Sequence, residues 1–408
     1  MSEKIVFIDA FSTIHVGNGA LLDNSFKIAS QRFKTNDITI VTSDPETNKG
    51  RYENIIEDVF SNYPTNNFSK LIWAILFFSN FSLFFIYQKL GIPQRLWILG
   101  TRYRKIASAI AESDIVISIS GESINDHFAP QMYMRCYLFY LSIKLGKDFY
   151  VFPQSIGPIF RSTSKKALRF FLSGAKTIFC RDMESFKLSQ DIWKSEPVDV
   201  VYCPDVAVTQ DSAKDESLAI FNSGKKVVGI TLSDVPDEIA GSAGYYEKMV
   251  KTICQSLNSD EHCILMMPSN YKRIGTSRDY EICTRAYQEL LAQNFEVEIL
   301  QNKAIHPDHY QGIQKSLSLF ISSRMHVGIL ATSAAVPTIM LNTQHKIRGY
   351  MKNISMEDFV IEYDEIESRL PALVARCIEP TQHSEIREQL YSKNQEMRRM
   401  VMKIVGAT

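Results

Sequence analysis

Four basic side chains stand close together late in the chain: Arg324, His326, Lys346 and Arg348. The stretch from Ser322 to Lys346 reads SSRMHVGILATSAAVPTIMLNTQHK, and no carboxylate follows it before Glu357. Arg324 and His326 come directly after a short apolar run, Leu317 to Ile321, that reads as a buried strand. A helix of small apolar residues starts behind them. A second strand, Val336 to Leu341, then ends near Lys346 and Arg348. Open α/β sheets bind ligands at the carboxyl ends of their strands. Two adjacent strand ends that offer Arg, His, Lys and Arg make a site for a small, multiply charged anion.

The elements that must position these residues alternate between strand and helix. Strands are expected at Ile5–Ile8, Ile38–Val41, Ile115–Ile119, Phe149–Phe152, Thr177–Cys180 and Val198–Tyr202. A second series is expected at Val227–Leu232, Cys263–Met267, Val297–Leu300, Leu317–Ile321, Pro337–Leu341 and Phe359–Ile361. Short apolar, β-branched runs between helical segments imply parallel sheets covered on both faces. Thr209 to Lys226 is polar and lacks periodicity, so it reads as a linker. Ser384 to Val405 carries Ile386, Leu390, Met397, Val401 and Ile404 at helical spacing, with Ser384 as N-cap. The expected fold is α/β, with two Rossmann-like domains at 1–210 and 225–383. A C-terminal helix at 384–408 packs back toward the first domain. A two-lobed enzyme of this kind has its site in the cleft between the lobes.

Composition removes several classes of function. The formal net charge of zero gives no broad basic field for nucleic acid. A hydrophobic content of 45% supports a sizeable core. The seven cysteines form neither a CxxC pair nor a Cys/His cluster, so no metal site is expected. Scattered, mostly buried thiols suit a reducing cytosol. The opening MSEKIVFIDA reads as a strand, not a signal peptide. A cytoplasmic protein is the expectation.

Leu71 to Tyr87, LIWAILFFSNFSLFFIY, is uncharged and flanked by Lys70 and Lys89. As a helix it spans about 25 Å, short of the ~20 residues a bilayer needs. Three readings stand: a buried helix, a helix on a membrane surface or against a lipid-linked substrate, and a spanning helix. Both flanks read as continuous domain, which argues against the last. The second reading makes the protein peripheral on the inner face of the membrane.

Short motifs follow successive strands of the first half. They are Ser120 to Phe128 (SGESINDHF), Pro153 to Pro158 (PQSIGP), Cys180 to Ser185 (CRDMES) and Cys203 to Ala207 (CPDVA). Each alone has a plain structural reading as a turn, an N-cap or a local ion pair. Together with Gly17-Asn18-Gly19, Arg324-Met325-His326, Pro337 and Lys346, they resemble the polysaccharide pyruvyltransferase family. The resemblance runs from about Ile5 to Lys352. The most specific elements are Gln154-Ser155-Ile156-Gly157-Pro158, Arg181-Asp182 with Ser185, and the Arg-x-His. One loop departs from the family: a run of glycines is replaced by Ser120-Gly121-Glu122-Ser123, though Asp126 is kept.

The resemblance implies a GT-B-like fold that moves the pyruvyl group of phosphoenolpyruvate (PEP) onto a sugar as a cyclic ketal. It implies no organic cofactor and no metal, with PEP as co-substrate. It also implies a sugar acceptor, commonly a lipid-linked oligosaccharide of a surface polysaccharide. PEP carries a phosphate and a carboxylate, and the planar fork of Arg pairs with both. Arg324, Lys346, Arg181 and Arg348 are the candidate ligands. C3 of PEP must be protonated, and His326 is the candidate acid. Asp126, Glu122, His127 and Asp205 are all candidates for the base, and Asp126 and Arg324 stand with His326 as the catalytic candidates. Gln154, Ser155 and Asn18 join Glu122, His127 and Asp205 on the acceptor side. The rival reading is a nucleotide-sugar glycosyltransferase of the same fold. That reading calls for a carboxylate between His326 and Val336 to hold a ribose, and none is there. A non-catalytic sugar-binding protein is a further alternative, and it leaves the basic cluster unexplained.

Overall fold

A computed structural model describes residues 3–119, 121–213, 218–234, 244–272, 277–342 and 345–406. The chain divides into two compact units. Unit 1 is Met1–Ser12, Leu21–Asp205 and Met400–Thr408; unit 2 is Thr13–Ala20 and Val206–Arg399.

The chain first forms β1 (Ile5–Ala10), α1 (Val16–Phe33), β2 (Ile38–Thr42), β3 (Asn54–Glu57), α2 (Asn67–Lys89) and α3 (Thr101–Glu112). It continues with β4 (Ile115–Ser118), α4 (Ala129–Lys144), β5 (Asp148–Gln154), α5 (Ser162–Leu172), β6 (Thr177–Cys180), α6 (Met183–Trp193) and β7 (Asp199–Tyr202). These strands pair in parallel in the order β3-β2-β1-β4-β5-β6-β7. Every residue of β1 and β4 is buried, as a sheet covered on both faces requires.

The second series is β8 (Lys226–Thr231), α7 (Tyr245–Ser256), β9 (His262–Met266), α8 (Arg278–Ala292), β10 (Val297–Ile299) and α9 (Pro307–Lys315). Then come β11 (Leu319–Ser322), α10 (Met325–Ser333), β12 (Thr338–Leu341), α11 (His345–Asn353), β13 (Val360–Ile361), α12 (Ile366–Ile378) and α13 (Pro380–Ile404). Its parallel sheet has the order β10-β9-β8-β11-β12-β13. Each unit is therefore a Rossmann-like α/β domain, and the fold class is the expected one.

All twelve expected strands are present, and β3 is an addition at a sheet edge. The boundaries differ from the expected ones. Thr13–Ala20 groups with unit 2, and the division falls at Asp205/Val206. Part of the expected linker is packed within unit 2. Thr209 and Gln210 are buried, and Arg398 donates to their carbonyls at 2.7 and 3.0 Å. Residues 214–217 of that linker lie outside the described residues. α13 starts at Pro380, so Ser384 sits inside the helix and its hydroxyl bonds back to the Pro380 carbonyl. Glu379 takes the capping role, accepting from the amides of Thr381 and Gln382.

α2 is long and apolar enough to cross a membrane by length and composition. One side of it is core: Phe77, Phe81 and Phe84 are fully buried and meet Phe60, Trp97 and Tyr103. Its middle is tied down by Asn80, which accepts from the Gly100 amide, and by Ser82, which bonds the Tyr137 hydroxyl. The other side is exposed, with Leu71 at 60% and Ile75 at 56%. The buried reading thus describes one face of the helix, and the other face is exposed.

Candidate active site

Unit 1 collects polar residues at the carboxyl ends of its strands. Asp9 ends β1 in the left-handed region (φ 65°), which Asp tolerates better than most residues. Its carboxylate pairs with Arg135 from α4 and accepts from Ser118 Oγ at 3.1 Å. Arg135 also lies 3.8 Å from Asp58 and stacks 4.0 Å over Phe60. Burial pushes the Asp58 carboxyl up to about 6, even against the pull of Arg135. Gln154 is fully buried and donates to Ser118 Oγ at 3.3 Å.

The motif residues of β5, β6 and β7 bond to one another. Arg181 donates through Nη1 to Asp205 at 2.8 Å and through Nε to Ser155 Oγ at 3.0 Å. Ser155 in turn donates to Asp182, which caps α6 by accepting from the Ser185 amide. The Arg181 and Asp205 side chains are 3% and 2% exposed. The Arg-Asp-x-x-Ser motif therefore ties three strand ends together. Arg181 is an expected PEP contact, and its guanidinium bonds Asp205 and Ser155 within the unit. Ser155 and Asp205 are likewise committed to this network.

Asp126, an expected base, is held by the start of α5. Its carboxylate accepts from the amides of Phe160 and Arg161 at 2.6 and 2.8 Å, and from Ser164 Oγ. Burial works to raise its pKa. The bonds from Ser164, Arg161 and Phe160 outweigh that and hold the carboxyl below its ordinary range. A carboxylate held this way anchors the start of α5 and makes a poor base. Of the same loop, Glu122 is partly buried, and His127 is exposed with its ring edge-on to Phe160.

Unit 2 builds its own cluster. β11 ends in a turn in which Ser322 Oγ donates to the Arg324 carbonyl and accepts from the Arg324 amide. α10 begins at the next residue and carries His326 in its first turn. The Arg324 guanidinium donates through Nε and Nη2 to Asp279, at 3.0 and 2.7 Å. Asp279 is buried at the start of α8, whereas the Arg324 side chain is 30% exposed. The basic cluster is thus not free of carboxylates, contrary to the expectation from its neighbours in sequence. The pair uses one edge of the guanidinium fork, and Nη1 is on the other.

The Thr13–Ala20 segment completes this cluster. His15 bridges to Asn270, and the Val16 amide donates to the Ser269 carbonyl beyond β9. Gly17 lies so close to His326 that a Cβ there would stand 2.6 Å from the His326 Cβ. Only glycine admits this approach. Asn18 belongs to this segment of unit 2. The pKa of His15 is lowered to about 4 by burial, then by Arg324, with Asp279 opposing. Its Nδ1 accepts from the Gly17 amide at 3.2 Å, which assigns the proton to Nε2. His15 is therefore a neutral donor at pH 7.

The remaining expected cations are placed differently. Lys346 is buried, 5% exposed, in the first turn of α11. Arg348 is bound to Glu362 at 2.7 Å, and Asn342 shares that carboxylate. Arg348 is also an expected PEP contact. A separate cavity of about 380 Å³ opens in unit 2 beside β10 and α9, lined by Gln301, Lys303, His306 and His309, and includes none of the expected site residues. The described residues contain no group of three or more His, Cys, Asp or Glu placed to hold a metal.

Asp279 and His15 were not singled out from sequence, nor were Asp9, Arg135 and Asp58. His15 had a faint signal in preceding the Val16-Gly17-Asn18-Gly19 turn. Asp279 had none: an acid in the first turn of a helix is ordinary.

Two all-parallel domains with polar strand ends define a transferase-like α/β fold of the GT-B-like class. Solved structures share it. The HepE protein of Anabaena, in complex with UDP and glucose, aligns at a TM-score of 0.57 with 10% identity over 98% of each chain. The UDP co-structure of S. aureus MnaA aligns at 0.58 with 10% identity over 99% of this chain and 96% of the other. The trehalose 6-phosphate synthase of Burkholderia multivorans aligns at 0.56 with 9% identity over 99% and 98%. At such identities the likeness speaks for the fold alone. No curated protein matches the chain. The family model for polysaccharide pyruvyl transferase matches residues 15–345, and the chain belongs to that family.

Proposed function

We propose that the chain transfers the pyruvyl group of PEP to two hydroxyls of one sugar, in a polysaccharide or a lipid-linked oligosaccharide. C3 of PEP takes a proton, and C2 gains oxocarbenium character. One sugar hydroxyl bonds to C2 and loses its proton. The second hydroxyl then displaces phosphate, leaving a cyclic ketal. Arg324 takes the donor's anionic groups, and His326 supplies the proton to C3. Lys346 adds positive potential nearby. Glu122 and His127 are candidate bases. The reaction belongs to the cytoplasmic side, where PEP is made.

One observation carries this reading. Arg324 is held by a buried carboxylate on one edge, stays 30% exposed, and stands two residues before His326 at a helix start. Such a fork is pre-oriented for a phosphate or carboxylate.

The test is thermal unfolding with ligands. PEP at ~100 times its dissociation constant should add about 2.7 kcal/mol of stability. Arg324→Ala should abolish that gain. Incubation with PEP and candidate glycosides should release phosphate and add the mass of a pyruvyl ketal. Stabilisation by a UDP-sugar with none by PEP would establish the glycosyltransferase reading instead.

A further inference from the structure

The exposed face of α2 has no role in this chemistry. Of seventeen large apolar side chains exposed among the described residues, eleven lie between Phe68 and Ile98. Leu71, Ile72, Ile75, Leu76, Ile86 and Leu90 recur along one stripe of the helix. That stripe is about 29 Å long. A patch of this extent marks an interaction surface.

Charge identifies the partner. From Val59 to Ala111 the chain has no Asp or Glu and six cations: Lys70, Lys89, Arg95, Arg102, Arg104 and Lys105. Arg102 meets Glu57 at 3.0 Å, and the other five make no ion pair among the described residues. Lys70 and Lys89 sit at the two ends of α2; Arg95, Arg104 and Lys105 follow on the segment that leads into α3 and on α3 itself. All of this occurs in a chain whose net charge is zero. A second copy on the same face would form an isologous contact and set these cations against themselves. An anionic lipid surface is complementary to both the apolar stripe and the cations.

We infer that α2 and the basic segment after it form a docking face for the surface of an anionic bilayer. The helix lies in the interface plane. Phe77, Phe81 and Phe84 hold it to unit 1 while Leu71, Ile75 and Ile86 enter the headgroup layer. This inference does not depend on pyruvyl transfer.

Flotation of the full chain with vesicles, without PEP or acceptor, tests it. The protein should float with phosphatidylcholine–phosphatidylglycerol vesicles and not with phosphatidylcholine alone. Salt at about 1 M should release much of it, because the Debye length falls to about 3 Å. Leu71→Ser/Ile75→Ser/Ile86→Ser should weaken partitioning at least about tenfold. Arg95→Glu/Lys105→Glu should do the same with an unchanged apolar stripe. Both variants should keep the melting temperature, and the wild-type protein in solution should have the mass of a monomer. If the serine variant fails to fold, the charge-reversed variant decides. Absence of flotation, or binding that survives charge reversal, overturns the inference. So does a wild-type dimer that the serine variant dissociates, since a second copy then covers the face.

Discussion

Arg181 in unit 1 and Arg324 in unit 2 occupy similar places. Each follows the carboxyl end of a parallel strand, and each bonds a carboxylate far along the chain: Asp205, 24 residues away, and Asp279, 45 residues away. Their carboxylates are equally buried, at 2%. The arginines differ, at 3% exposed for Arg181 and 30% for Arg324. A pair buried at both ends fixes a scaffold, because breaking it strands a charge in low dielectric. A pair buried only on its acid side fixes the orientation of a cation that a ligand still reaches. The unit 1 motif therefore reads as architecture and the unit 2 motif as chemistry, though both stand out equally in the sequence.

Substitutions can break this contrast. The largest effect belongs to His326→Ala. Loss of a general acid should lower turnover ~10²–10⁴-fold with little change in the Michaelis constant for PEP. Steady-state phosphate release measures it; near-normal turnover would remove His326 from the chemistry. Arg181→Ala should act on folding instead, costing ~3–5 kcal/mol in denaturant unfolding because the buried Asp205 loses its guanidinium partner. A variant that unfolds normally yet loses PEP affinity would erase the distinction between the two arginines.

Asp58 sharpens the contrast from within unit 1. Its carboxyl is raised to about 6 in the fold, chiefly by burial. As pH rises from about 4 toward 6, the unfolded chain loses this proton first. The stability contributed by the protonated form is therefore lost over that window. Relative to Asp58→Asn, the native chain should lose about 1–3 kcal/mol across it. Equal pH profiles for the two proteins would show that Arg135 fully compensates the charge. The smallest effect is expected for Arg348→Ala, whose pair with Glu362 is 39% exposed on each side. A change of ~0–1 kcal/mol, with PEP binding intact, is the expected outcome. A large rise in the PEP Michaelis constant would restore Arg348 to the site.

The sheets were legible in the sequence because fully buried parallel strands are continuous apolar runs. β3 was not, since it offers only Ile55 and Ile56 between Asn54 and Glu57 at an edge. Arg324 and His326 were legible because strand, cation and helix start are contiguous. Asp279 was hidden because its meaning lies in a partner 45 residues away. The two faces of α2 were hidden for another reason. A helix apolar all round carries no moment to say which side is core. Phe77 and Phe81 differ from Leu71 and Ile75 only in what lies opposite them. Ser384 misled because Pro380 opens α13 a full turn earlier, a position proline favours.

The grouping of Thr13–Ala20 with unit 2, and of Met400–Thr408 with unit 1, bears on how the protein is made. Gly17 leaves the ribosome more than three hundred residues before His326, whose wall it forms. Arg32 waits longer still for the Val405 carbonyl it bonds at 2.7 Å. Unit 2 joins Thr13–Ala20 to residues that run on to Arg399, and unit 1 closes only with the segment from Met400. Cutting the gene at Val206 would therefore not yield a complete unit 2: the fragment would lack His15 and Gly17, and the basic cluster would stand open on the side they close.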